Sequence, residues 1–102
     1  MTYNTSMQAS VSFLINGEAD QSISPLERGL HYGDGVFRTL RVQGQVPSHW
    51  HLHYQKLNAD CMAIAIPCPS ATLLLADIEQ LTKGVGASTL SVIKIIITRG
   101  IG

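Results

Sequence analysis

Charge, cysteine and long apolar runs are scarce in this sequence, and each shortage narrows what the chain can be. Only 14% of the 102 residues are charged, and seven basic side chains cancel seven acidic ones to a formal net charge of zero. No basic surplus is available for a phosphate backbone or an acidic bilayer surface, so neither nucleic acid nor membrane is expected as a partner. The wholly apolar stretches fall well short of the ~20 residues that a bilayer-spanning helix needs. The opening MTYNTSMQAS lacks the basic start and apolar run of a secretory signal, which leads us to expect a cytoplasmic protein. Cysteine occurs only at Cys61 and Cys68. They form no metal or redox motif and are expected as thiols in a reducing compartment. The remaining composition, 45% hydrophobic, suits one globular domain with a single modest core.

The pattern along the chain sets out its elements. Residues 1–10 read as a flexible N-terminus, and residues 11–102 as one domain. Val11 to Ile15 alternates apolar and polar residues before Asn16-Gly17. That dipeptide tolerates positive φ at both centres of a type I′ turn and predicts a hairpin into Glu18–Ile23. Ser24-Pro25 breaks the strand, and Gly29, Gly33 and Gly35 mark an irregular loop. Val36 to Val42 is the next strand, with Val36, Arg38, Leu40 and Val42 on one face and Phe37, Thr39 and Arg41 on the other. Gln43-Gly44 supplies a turn, and Pro47 ends the returning strand.

From Trp50 the period changes. Trp50, Tyr54, Leu57, Cys61 and Ile64 are spaced as one face of an α-helix, and His49, His53, Lys56 and Asp60 form a second face. Pro67 and Pro69 are expected to close this helix. Leu74, Ile78 and Leu81 define another helix ending near Gly84, and a last strand runs from about Thr89 to Thr98. Its isoleucines suggest burial on both faces. Strands first and helices gathered afterwards indicate an α+β fold.

Taken singly, the polar residues have ordinary explanations. Of His49, His51 and His53, only His49 and His53 share a helical face, and no third metal ligand is near in sequence. Gly33-Asp34-Gly35 could cradle a phosphate, but it equally allows a sharp turn into the strand. Lys56 alone reads as a solvated helix charge with Asp60 as its partner one turn on. For Arg38 alone, the ordinary reading is a strand-surface cation.

Read together, these segments resemble the N-terminal signature of the class IV aminotransferases, the fold-type IV pyridoxal-phosphate enzymes, and most closely their aminodeoxychorismate lyase branch. The matching stretches are Glu27-Arg28-Gly29, then Tyr32-Gly33-Asp34-Gly35-Val36-Phe37, then His53-Tyr54-Gln55-Lys56-Leu57. Phe13 to Gly17 is similar to the family's first strand and turn, and Val92 to Gly100 to its strand leading into Thr-Arg-Gly. The resemblance implies the small, α+β N-terminal domain of that fold, with β-hairpins and a sheet packed against two helices. It implies pyridoxal 5′-phosphate as cofactor, a small-molecule substrate and a homodimer.

Lys56 falls where the family places a basic residue, usually Arg, on the cofactor phosphate. Lysine neutralises charge there without the two-pronged fork of arginine. Tyr32 falls on the substrate side, with a core aromatic anchoring the loop as its other reading. Arg38 stands where many of the family's transaminases have Glu, and a cation there suits a dicarboxylate-like substrate. The Schiff-base lysine and the Glu on the ring nitrogen belong to the family's second domain. The only lysines here are Lys56, Lys83 and Lys94, and none matches that lysine. The expectation is therefore an N-terminal fragment of an aminodeoxychorismate lyase, catalytically incomplete alone. A D-amino-acid or branched-chain aminotransferase, or a non-catalytic binding or assembly module, are the alternatives.

Overall fold

A computed structural model describes residues 13–19 and 35–100. The expected flexible N-terminus, the hairpin beyond Ala19, the Ser24-Pro25 break and the loop that carries Tyr32 lie outside the described residues. The hairpin turn itself is present. Ile15 and Glu18 exchange both backbone hydrogen bonds, at 3.0 and 3.1 Å. Between them Asn16 and Gly17 have φ of 54° and 77°, as a type I′ turn requires.

Strand β1 (Gly35–Gln43) is the centre of a three-stranded antiparallel sheet. On one side it pairs with the short β2 (Val46–Pro47), where Gln43 faces Val46 across a two-residue loop. That loop is Gly44-Gln45, one residue later than the sequence suggested. Gly44 takes φ 60° and donates its amide to Thr89 O at 2.8 Å. A β-carbon on Gly44 would meet Ala87 Cα at 3.0 Å, so the turn needs glycine there for both reasons. On its other side β1 pairs along its whole length with β3 (Leu90–Thr98), from Gly35 opposite Thr98 to Gln43 opposite Leu90.

Helix α1 (Trp50–Ala63) follows β2, and α2 (Ala71–Leu81) follows α1. The chain enters α1 through His49, which is left-handed at φ 54°, and no side chain caps that end. At its other end α1 stops before the prolines are reached. Ala65 turns left-handed at φ 57°, and Ile66 returns its amide to Cys61 O at 2.8 Å. Arg99, beyond β3, donates to the carbonyls of Ile64 and Ala65 at 2.6 and 3.4 Å and so caps the helix with a cation. Helix α2 begins more conventionally. Ser70 Oγ accepts from Leu73 N at 3.1 Å.

Both helices contribute to one core. Leu57 and Cys61 of α1 meet Leu74 of α2, Ile66 of the connector and Ile97 of β3. A second cluster joins Leu40 and Val42 of β1 to Ile78 of α2. The alternation expected for β1 is observed, with Leu40 and Val42 buried and Phe37, Thr39 and Arg41 exposed.

Burial of β3 on both faces is not observed. Ile93, Ile95 and Ile97 turn inward, whereas Leu90, Val92 and Ile96 remain 68%, 71% and 62% exposed. An antiparallel sheet with helices on one side has one dry face, whatever the hydrophobicity of the other row. Phe37 lies on that open face, with the Lys94 ammonium 4.7 Å from its ring centroid.

One-sided burial makes a measurable prediction. Leu57→Ala should cost about 2–5 kcal/mol of stability, whereas Ile96→Thr should stay within about 0.5 kcal/mol. Urea unfolding of the two variants checks this, and equal losses would contradict a core confined to one side of the sheet.

Candidate functional site

The polar residues singled out in the sequence converge where β1 passes under α1. Arg38 belongs to the inward row of β1, in line with Leu40 and Val42, so its side chain is half-buried and not a strand-surface cation. Its Nη2 lies 3.0 Å from Nδ1 of His53 on α1. Arginine can only donate, so Nδ1 must accept and the imidazole must be neutral, carrying its proton on Nε2. Arg38 Nε is buried and has no hydrogen-bond partner among the described residues.

The electrostatics agree with a neutral ring. The pKa of His53 is lowered from 6.5, first by burial, then by the Arg38 charge and then by His49. Lys56 lies three residues after His53 on the same helix. It is 60% exposed and bonded to Asp60 Oδ1 at 3.1 Å, the surface pair that its spacing predicts. The described residues thus bring Arg38 against His53, with Lys56 one turn farther on, whereas Tyr32 lies outside them. His49 is the residue before α1 and not a member of the helical face proposed for it. No group of three metal-ligating side chains occurs among the described residues.

The contact with His53 was missed by reading strand and helix separately. Its signal is the phase of β1, which sends Arg38 toward the helices together with the core residues. The cysteines form a different environment. Both are free, and burial followed by a hydrogen bond to Cys68 pushes the Cys61 thiol up to about 11. That thiol is protonated at neutral pH and is no ready nucleophile.

A short antiparallel sheet covered on one face by two helices is the arrangement that this chain shares with fold-type IV enzymes. Its relatives by sequence and its neighbours by structure belong to the class IV aminotransferase family, the fold-type IV enzymes. The chain is 31% identical over 91 residues to an aminodeoxychorismate lyase of Vibrio harveyi, a match covering 88% of this chain and 32% of the relative. A putative branched-chain-amino-acid aminotransferase of Methanocaldococcus jannaschii is 29% identical over 85 residues, with 83% and 30% covered.

Among solved structures, the 4-amino-4-deoxychorismate lyase of Pseudomonas aeruginosa aligns with a TM-score of 0.70 and 33% identity, over 85% of this chain and 31% of that one. A fold IV-transaminase of Curtobacterium pusillum aligns with a TM-score of 0.68 and 26% identity, over 91% and 31%. No family model matches. The chain therefore spans about a third of the length of the relatives it matches. No helix among the described residues is long and apolar enough to cross a membrane.

The lowered pKa of His53 sets a sign for pH dependence. Below 6.5 the unfolded chain takes up a proton more readily than the folded one. The contribution of His53 is thus fully present above that value and is lost as pH falls toward the folded pKa. His53→Gln removes this group, so the variant's stability relative to wild type should rise from about pH 7 to about pH 5. Denaturant unfolding across that range checks it, and a constant difference would show that His53 does not titrate differently on folding.

Proposed function

We propose that this chain serves as the small domain of an aminodeoxychorismate lyase, which converts 4-amino-4-deoxychorismate to 4-aminobenzoate and pyruvate with pyridoxal 5′-phosphate, in the cytoplasm and as a homodimer. The observation that carries this reading is the agreement of two comparisons. The Vibrio relative by sequence and the Pseudomonas structure by fold are both lyases of this name, at 31% and 33% identity.

The described residues fit the phosphate end of such a cofactor. Lys56 offers a cation there from α1, exposed and bonded to Asp60 at 3.1 Å. The cofactor's covalent anchor is assigned to the second domain of the full enzyme. Lys94 points its ammonium over Phe37 on the outer face of the sheet, and Lys83 is exposed just past α2.

When bound, pyridoxal phosphate supplies an electron sink for the carbanion formed as a proton leaves the substrate. The work assigned to this chain is binding and orientation. Lys56 neutralises phosphate as a point charge, while Tyr32 and Arg38 shape the substrate side and favour a substrate carboxylate. A transaminase is the second reading, favoured by the likeness to the Methanocaldococcus protein and to the Curtobacterium fold.

Two experiments on protein carrying the complete two-domain enzyme test these assignments. Lys56→Ala should weaken cofactor retention by roughly one to two decades, and Lys56→Arg should preserve it. Unchanged cofactor dissociation in the alanine variant would remove Lys56 from the phosphate site. Given aminodeoxychorismate, the enzyme should release pyruvate and 4-aminobenzoate with no 2-oxo acid added. Strict dependence on an oxo acid acceptor would move the protein to the transaminase branch. In the 102-residue chain itself, cofactor followed by borohydride should label no single lysine stoichiometrically, as read by mass spectrometry.

A further inference from the structure

We infer that Arg38 and His53 together form a built oxyanion site, in which the neutral imidazole holds the guanidinium in place for a phosphate or carboxylate oxygen. The inference rests on the role just given to Arg38 and deepens it by adding His53 as the positioning residue.

The argument begins with an unbalanced charge. Arg38 carries a permanent cation in a half-buried position, on the row of β1 that faces the helices. Buried charges are ordinarily paired. Yet the only hydrogen bond of Arg38 among the described residues is to a neutral acceptor, Nδ1 of His53 at 3.0 Å. The one carboxylate of α1, Asp60, is bonded to Lys56. Arg38 Nε has no partner among the described residues, and an unmet buried donor is unfavourable unless a ligand meets it.

The identity of the acceptor explains why such an arrangement is useful. A carboxylate at position 53 would fix the guanidinium equally well but would cancel its charge. An imidazole fixes the geometry and leaves the full positive charge for a ligand. His53 can play this part because burial, Arg38 and His49 all disfavour its protonation. Lys56, one turn from His53 on α1, adds attraction for an anion.

Planar arginine matches a carboxylate or a phosphate with two parallel hydrogen bonds. The shared chemistry is therefore the oxyanion, and its source is either a phosphate monoester or a substrate carboxylate.

The test uses the 15N-labelled chain, titrated at neutral pH with inorganic phosphate and, separately, with malonate. We expect at least one anion to shift the His53 ring resonances saturably. Arg38→Met should weaken that binding about tenfold or more. His53→Gln, which keeps an acceptor, should stay within about threefold of wild type, and His53→Ala should lose about fivefold or more.

Phosphate binding alone supports the site on the cofactor side, and malonate alone supports it on the substrate side. If a variant fails to fold, the wild-type imidazole still decides. Its ring nitrogens must report a neutral ring protonated on Nε2, and a proton on Nδ1 overturns the inference. It is also overturned if neither anion binds, if shifts are confined to the neighbours of Lys56, or if the alanine and glutamine variants behave alike. None of these readouts depends on turnover. A transaminase outcome in the reaction assay would defeat the lyase reading alone, and anion binding indifferent to Arg38 would defeat this inference alone.

Discussion

The continuous pairing of β1 with β3 is the constraint on which the rest of the structure depends. Nine residues of each strand are in register, and the tight end of that ladder is Gly35. A β-carbon there would sit 2.6 Å from the carbonyl oxygen of Ile97, so the two backbones approach as closely as they do only because residue 35 has no side chain. With the register pinned, the period of two along β1 decides which residues lie under the helices and which face away. Leu40 and Val42 then form part of the core, and Arg38 is carried inward with them.

The candidate site is therefore a by-product of core geometry as much as of chemistry. Arg38 occupies a position where an apolar residue would pack without complication, and the fold accommodates its charge with one imidazole from α1. Helix α1 is itself placed by Leu57 and Cys61. His53 lies one turn before Leu57, so the packing that buries the leucine also brings the imidazole over the strand. Displacing α1 would open the core and separate the basic pair together. Positioning in this domain is thus tied to the stability of the helix–sheet contact.

Much of this was legible in the sequence, and the gaps have physical causes. The Asn16-Gly17 turn, the two faces of β1, the apolar face of α1 and the phase of α2 all follow from local periodicity, which survives folding unchanged. The β2 turn shifted by one residue because Gly44 is committed to a contact with Ala87 that lies far away in sequence. The end of α1 was attributed to its prolines. It is made by a left-handed Ala65 and by Arg99 from beyond β3, which local rules do not reach. The isoleucine content of β3 suggested two dry faces, but composition says nothing about how many layers cover a strand. The motif containing Lys56 was visible from the family resemblance, whereas the Arg38–His53 contact needed the third dimension.

The Arg99 cap has a mechanical consequence. Its guanidinium joins the tail end of β3 to the C-terminal carbonyls of α1, residues 35 apart in the chain. Closing a loop of that length carries an entropic cost that rises only slowly with each added residue, so a single polar clasp can hold it. The clasp is exposed, and water competes for every bond in it. Strand and helix are thereby geared to each other at one corner of the domain. A shift of the backbone after Thr98 would be transmitted to the last turn of α1, at the opposite end of the helix from His53.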